Sequence, residues 1–466
     1  MDQDLDKTKQ APGEARCPGP STAEIIAKDP GGAPPTFLEE SYSFIGDEDI
    51  LFDHYTSNNF FNEEMDKMWS NTWQWACRLE HIPAIGDYYV YDIGNLSILI
   101  VNTKEGIKGF YNSCLHRGTQ LKPCASVGRS NDLKCPYHGW TWSLEGKLLE
   151  VPCDWDFPHL NWEKSKLPEV NIETWGGFIF VNLSKKPESL LNYLGVLPNH
   201  FKKWPLEDRY VALHVRKVLP ANWKACIEAF LEAYHVLETH SQAINYAGDA
   251  NAQYDVFSDH VTRFIHTLGY KSPHVKEELT QQQILDSALG IKDSEESEES
   301  KLKVPDGKTA REMFAANTKK NLEEAYKMDF SEATITETID SIEYHLFPNA
   351  CFFPGLSLPM VYRFRPNGSD VDSTIFDLLF MEPIPEGKTC PPPAQPYDLR
   401  IEDSYCSVPG INVGLGGVYD QDTVNLESQQ RGFKTSKKGA QTLGNYQEVR
   451  IRHFHQMINN YIGKNS

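Results

Sequence analysis

No stretch of this sequence stays apolar for long enough to cross a membrane. The most apolar region, 88–101, is interrupted by Asp92, Gly94 and Asn95 and falls short of the roughly 20 residues a membrane helix needs, so no span is expected. Positive charge is also scarce: 45 lysines and arginines face 65 aspartates and glutamates, a net charge of −20 that repels nucleic-acid phosphates and anionic lipid surfaces. Ten cysteines in 466 residues are too few for a disulfide framework. The opening residues Met1-Asp2-Gln3-Asp4-Leu5-Asp6 hold no apolar core of the kind a secretory signal carries, so a cytoplasmic chain is expected, with its thiols reduced or bound to metal. Neither a G-x-G-x-x-G fingerprint nor a C-x4-C-x2-C spacing occurs, and electrons for any redox chemistry must come from another protein. What is present is ordinary globular sequence, 40% apolar and 24% charged, long enough for two or three domains.

Residues 1–35 are rich in proline, glycine and charge and predict a flexible N-terminal arm that extends to about residue 45. A helical lead-in packing on the later domain is expected over 46–75, where Phe60, Phe61, Met65, Met68, Trp69 and Trp73 fall on one helix face. From 76 to 190 short β-rich runs alternate with turn pairs such as Gly86-Asp87 and Gly94-Asn95, predicting a small antiparallel β domain. Residues 191–466 read as α+β, with a helix from Trp223 to about Thr239 and strands near 210–217, 341–347, 360–364 and 374–381. The last two strands suit a hairpin with a longer loop over 365–370, and the acidic run 293–300 reads as a solvated loop. Near the C-terminus, 447–458 has helical spacing, with His453 and His455 expected on its polar face. The region 243–337 reads as a loop-rich cover, and the apolar run 346–356 as a pocket wall or plain core.

Two short segments carry metal-ligand chemistry. Cys114-Leu115-His116 is followed, eighteen residues later, by Cys135-Pro136-Tyr137-His138. Two thiolates on one iron and two imidazoles on the other make the ligand set of a Rieske two-iron, two-sulfur cluster, and Gly118 and Gly139 stand where the backbone must turn around it. Four such donors also satisfy tetrahedral zinc, but zinc fingers pair cysteine with cysteine and histidine with histidine, whereas each loop here supplies one of each.

A second constellation lies in the helical stretch 222–240, where Glu228, Glu232 and His235 follow i, i+4 and i+7 on one ideal face and His240 stands about 140° from His235. Both histidines reach one metal only if the helix ends or bulges between them. Two imidazoles and one carboxylate form the facial triad of non-haem iron(II) oxygenases, which leaves positions open for O2. The carboxylate is expected in 418–432, which offers Asp420, Asp422 and Glu427.

With both motifs in this order, 69–462 resembles the catalytic (α) subunit of Rieske non-haem iron ring-hydroxylating oxygenases. The resemblance implies a Rieske-type antiparallel β domain followed by a helix-grip catalytic domain, assembled as a head-to-tail homotrimer, with or without a small β subunit. It implies a 2Fe-2S cluster on Cys114, His116, Cys135 and His138, and a mononuclear Fe(II) on His235, His240 and Asp422, with Asp420 the runner-up. Glu232 then links His235 to His138 of the partner subunit, where most of the family has aspartate; a glutamate is similar to the carnitine-type monooxygenases. An NAD(P)H-dependent reductase, with or without a ferredoxin, is the implied electron donor. The expected activity is O2-dependent hydroxylation of a hydrophobic ring substrate, aromatic, polycyclic or steroid-like. The alternatives are a monooxygenase for a quaternary or N-methylated amine, and a non-catalytic Rieske electron carrier.

Overall fold

The structure, a computed structural model, describes residues 10–291 and 302–463, so the acidic run 293–300 lies outside the described residues. Two antiparallel sheets organise it. The first has seven strands in the order Gln74–Arg78, Phe178–Asn182, Glu169–Trp175, Gly106–Tyr111, Leu96–Thr103, Asp87–Ile93 and Val127–Arg129, with a three-stranded sheet (Leu133–Lys134, Thr141–Trp142, Leu148–Glu150) beside it. Strand alternation gives this sheet two working faces. Ile98 and Ile100 pack into a core shared with the second domain, whereas Leu99 and Val101 pack beneath Cys114, Cys135 and Trp140.

The second sheet has eight strands, ordered Ala247–Val256, Val261–Leu268, Ser341–Leu346, Ala350–Phe352, Met360–Asn367, Asp370–Pro383, Arg209–Leu219 and Pro396–Leu399, all antiparallel except the last pair. The first two strands come from the region expected to be a loop-rich cover, and burial on both sides explains why they lack a clean polar alternation. The hairpin between Met360–Asn367 and Asp370–Pro383 is tight rather than long: Asn367 pairs with Asp370, and Gly368 at φ +60° makes the turn. Helices Val413–Thr435 and Val449–Ile462 pack on this domain.

Over residues 10–45 the expected flexible arm is instead a packed strap. Ile25, Ile26 and Phe37 are buried, the Thr22 hydroxyl donates to Asn251 O at 2.7 Å, and Arg263 donates to Thr36 O and Glu39 O at 2.6 and 2.7 Å. Composition underestimated it because the strap covers the open edge strand Ala247–Val256 and has its own carbonyls satisfied by a buried guanidinium. The lead-in also departs from one long helix. It breaks into Asp53–Thr56 and Asn58–Glu63, widens to a π-helix over Glu64–Trp69, and gives way by Gln74 to the first sheet. The wide turn aims Glu64 inward onto Lys224, a fully buried pair at 2.7 Å that ties the lead-in to the catalytic domain.

One buried carboxylate locks the two domains. Asp377 lies directly opposite Arg363 on one neighbouring strand and Arg216 on the other, and also meets Arg365 and His214, at 2.9–3.1 Å. Arg363 then donates to Trp75 O and Ala76 O, and Arg365 to Asp92 O, all in the first domain. Burial alone raises the Asp377 pKa, but Arg363 and Arg365 outweigh it and hold the carboxyl well below its usual range. Replacing Asp377 by asparagine strands the guanidinium groups and should cost about 3–5 kcal/mol, read as a shifted urea midpoint. An unchanged midpoint removes Asp377 from the domain lock.

Candidate metal centres

The two Cys–His loops are built alike. The Cys114 amide donates to Thr119 O (2.8 Å) and Gly118 to Cys114 O (2.9 Å); the Cys135 amide donates to Trp140 O (2.8 Å) and Gly139 to Cys135 O (3.1 Å). Gly118 and Gly139 sit at φ +79° and +75°, where a side chain would be strained. Each six-residue loop therefore closes on itself and pushes its cysteine and histidine to one end. The His116 and His138 rings lie 4.6 Å apart, and His116 stacks on Trp140 at 5.1 Å and 2°.

His116 Nδ1 is buried with no hydrogen-bond partner, a state that costs about 1–3 kcal/mol unless a metal takes the lone pair. Among the described residues, the only set of three or more metal-binding side chains with ligand atoms within 4.8 Å of one another is His235, His240 and Asp422. The Cys114, His116, Cys135 and His138 donors are thus spread too widely for one zinc ion and fit a two-iron cluster. Leu115, Tyr137 and Trp155 near these loops are 41%, 57% and 78% exposed.

The mononuclear site forms where the expected Trp223–Thr239 helix fails. Helix Trp223–Glu228 ends, 229–235 is irregular, and a short helix spans Val236–Thr239. The break precedes the histidines instead of separating them, so Glu228 does not share a helix face with Glu232 and His235. Tertiary partners replace the lost helix bonds: Tyr254 OH accepts from Ala233 N at 3.0 Å, Glu232 Oε2 from His235 N at 3.0 Å, and Arg450 donates to Leu231 O at 3.2 Å. His235 and His240 cap opposite ends of the short helix and so converge, with ring centroids 5.2 Å apart.

Asp422, on helix Val413–Thr435, completes the set, with Oδ1 at 2.7 Å from His240 Nε2 and 3.5 Å from His235 Nε2. The other two candidates face elsewhere. Asp420 accepts from Tyr405 N at 2.9 Å and from the Ser404 hydroxyl, and exposed Glu427 pairs with Arg431. Two residues of helix turn Asp420 about 200° from Asp422.

Both imidazoles are oriented from behind. His235 Nδ1 meets Glu232 Oε1 at 2.6 Å, and His240 Nδ1 meets Gln421 Oε1 at 2.9 Å, so each ring donates through Nδ1 and turns an Nε2 lone pair to the common point. Sequence reasoning missed Gln421; its position beside Asp422 was the one signal available. Gln242 fixes the Gln421 amide by donating to its oxygen at 2.7 Å. Burial lowers the His235 pKa, but hydrogen bonds to Asp422 and Glu232 outweigh it and raise it to about 10. Asp422 is held below the usual range because, against burial, both histidines favour its charged form.

A half-open cavity of about 220 Å³ meets Glu232, His235 and Asp422, with Glu228 and Glu448 in its wall. Beside Asp422, one helical turn earlier, the Tyr419 and Tyr362 hydroxyls lie 2.6 Å apart, and Phe230 packs 5.4 Å from the Tyr362 ring. The run 346–356 does not line the cavity: Leu346 and Phe352 join one core cluster, Phe347, Cys351 and Phe353 another. His453 and His455, expected on a polar face, are buried. His455 instead bonds Glu228 and Tyr55.

A family model described as "Ring hydroxylating alpha subunit (catalytic domain)" matches residues 199–464, and one described as "Rieske [2Fe-2S] domain" matches 72–161. The glycine betaine monooxygenase oxygenase subunit of Pseudomonas aeruginosa is 31% identical over 196 residues, 41% of this chain and 44% of that protein. The carnitine monooxygenase oxygenase subunit of Escherichia coli (strain K12) is 29% identical over 190 residues, 40% of this chain and 50% of that protein. These alignments span about half the length of the relatives. Naphthalene 1,2-dioxygenase from Rhodococcus sp. shares the fold at a TM-score of 0.58 and 20% identity, over 89% of this chain and 94% of that one.

Proposed function

Because the chain belongs to the ring hydroxylating alpha subunit family and carries a Rieske [2Fe-2S] domain, we propose that it is a terminal oxygenase acting on a quaternary or N-methylated amine. The convergence of His235, His240 and Asp422, with Glu232 and Gln421 behind the rings, carries the oxygenase reading. An electron carrier without oxygenase activity has no use for this second donor set. Bound there, iron(II) supplies O2 activation; bound by Cys114, His116, Cys135 and His138, the cluster supplies an electron.

The hydrophobic-ring substrate gives way to the amine on two supports. Glycine betaine and carnitine are the substrates named for the two relatives above, whereas the likeness to naphthalene dioxygenase extends to fold alone. Glu232, where most of the family has aspartate, is also similar to the carnitine-type monooxygenases and leans to the amine. In this reading the protein excludes water from the cavity beside Glu232, His235 and Asp422 and orients the substrate toward the face of the triad not taken by protein ligands.

A homotrimer follows from the same reading. Glu232 would link His235 to His138 of the partner subunit, and the exposed Leu115, Tyr137 and Trp155 beside the cluster loops suit a covered surface. A reductase, with or without a ferredoxin, supplies electrons. The test pairs iron-loaded protein and a surrogate reductase with glycine betaine, carnitine or naphthalene, scoring O2 uptake against product. Coupled turnover is expected with an amine; product from naphthalene alone returns the reading to ring hydroxylation.

A further inference from the structure

A chain of hydrogen bonds leaves the metal-side cavity through the protein wall. Glu228, in that wall, has Oε1 2.7 Å from His455 Nε2, and His455 Nδ1 lies 3.1 Å from His54 Nδ1. Tyr55 OH donates to Glu228 Oε1 at 2.8 Å and lies 2.7 Å from His455 Nε2, while Gln441 Nε2 donates to Tyr55 OH at 2.6 Å. Glu228 and His455 are buried, and His54, stacked on Phe60 at 4.2 Å, keeps part of its surface in solvent. None of these groups belongs to either donor set.

We propose that His54, His455 and Glu228 form a proton relay from solvent to the metal-side cavity. Inserting one atom of O2 into a C–H bond takes two electrons and two protons and leaves one water, so protons must enter with the electrons. A proton taken up at His54 Nε2 sends the Nδ1 proton of His54 to His455 Nδ1. Once Glu228 has given its own proton to the cavity, His455 passes its Nε2 proton to Glu228 Oε1, and both rings end neutral with their protons on the opposite nitrogens. Glu228 then delivers this second proton into the cavity, which makes up the two that one turnover takes, and Glu228 and both rings regain their starting protons by exchange with water between turnovers. The inference rests on the oxygenase reading above and, through the need for an internal route, on the proposed trimer. The cavity mouth beside Glu232 is where the neighbouring cluster domain would sit, and a path through the wall remains when that mouth is covered.

The surroundings suit the task. Burial pushes the Glu228 carboxyl up to about 8, against hydrogen bonds from Tyr55 and Gln441 and the charge of Lys224, so it holds a proton near neutral pH. His455 is pushed down to about 3 by burial and by Lys224, so it passes a proton without keeping it. Glu448 and Glu232 line the same cavity, and Glu64 compensates Lys224.

The test follows cluster reoxidation in holoenzyme reduced with dithionite, freed of reductant and mixed with O2 across a pH range. It uses whichever substrate passes the oxygen-uptake assay. If none passes, the slower reduction of O2 to peroxide serves, since it also takes two electrons and two protons, so the substrate reading and the relay fail separately. With the Rieske spectrum and bound iron intact, Glu228→Gln should slow reoxidation about tenfold, less than a full general acid–base contribution because water partly substitutes, and flatten the pH profile. His54→Ala should slow it less, and added imidazole should restore the rate, a rescue that a packing defect does not show. Wild-type rates in both variants, or a His54→Ala loss that imidazole leaves unchanged, overturn the relay.

Discussion

Replacing His235 by alanine should abolish product while leaving the Rieske absorption spectrum unchanged. In the proposed triad the ring supplies one of three ligands, and the other two, His240 and Asp422, lie 2.7 Å apart. The cluster loops depend on none of these residues, because their turns are closed by hydrogen bonds among 114–119 and 135–140. Iron counts should fall from three per chain, two in the cluster and one in the triad, to two. Retained turnover, or three iron atoms in the variant, would remove His235 from the site.

Glu232→Gln should leave both centres loaded and slow cluster-to-iron electron transfer about a hundredfold, the upper range for loss of a group that orients a metal-bound histidine. A carboxylate accepts from two imidazole N–H groups at once. Its Oε1 holds His235 Nδ1 at 2.6 Å, and Oε2, which takes the His235 amide at 3.0 Å, still has a lone pair for the proposed histidine of a neighbouring subunit. An amide keeps the first bond but turns an N–H toward the second ring and removes the negative charge between them. Stopped-flow reoxidation of the reduced cluster reads the step. A wild-type rate would show that electrons pass by another route.

The cluster loops could be read from sequence because each is a local object: ligand, turn glycine and closing hydrogen bonds all fall within six residues. Four of the eight strands of the second sheet were legible for a similar reason, since alternation along one strand reports burial on one face. Legibility failed wherever a distant partner overrode the local pattern. Tyr254, Arg450 and the Glu232 carboxylate stop the Trp223–Thr239 helix, and none of their hydrogen bonds to 231–235 follows from helix propensity. His455 counts as polar in any periodicity, yet it is buried because Glu228 and Tyr55, from two other segments, satisfy it. The strap over 10–45 looks disordered until the bare edge it covers is considered.

The sequence by itself determined the inventory of donors: two Cys–His pairs spaced for a cluster, two histidines five residues apart, and acids in 418–432 for a third ligand. Tertiary structure alone decided which of those acids meets the two histidines. Asp420 and Asp422 differ by two places in a helix, and only the direction in which Val413–Thr435 lies against the broken helix puts Asp422 on the histidines and Asp420 on Ser404 and Tyr405. It also decided that Gln421 stands behind His240, and that His455 joins Glu228 and His54 across 227 and 401 positions of chain. Contacts at such separations are set by how helices and sheets pack, and a local spacing rule carries no information about them.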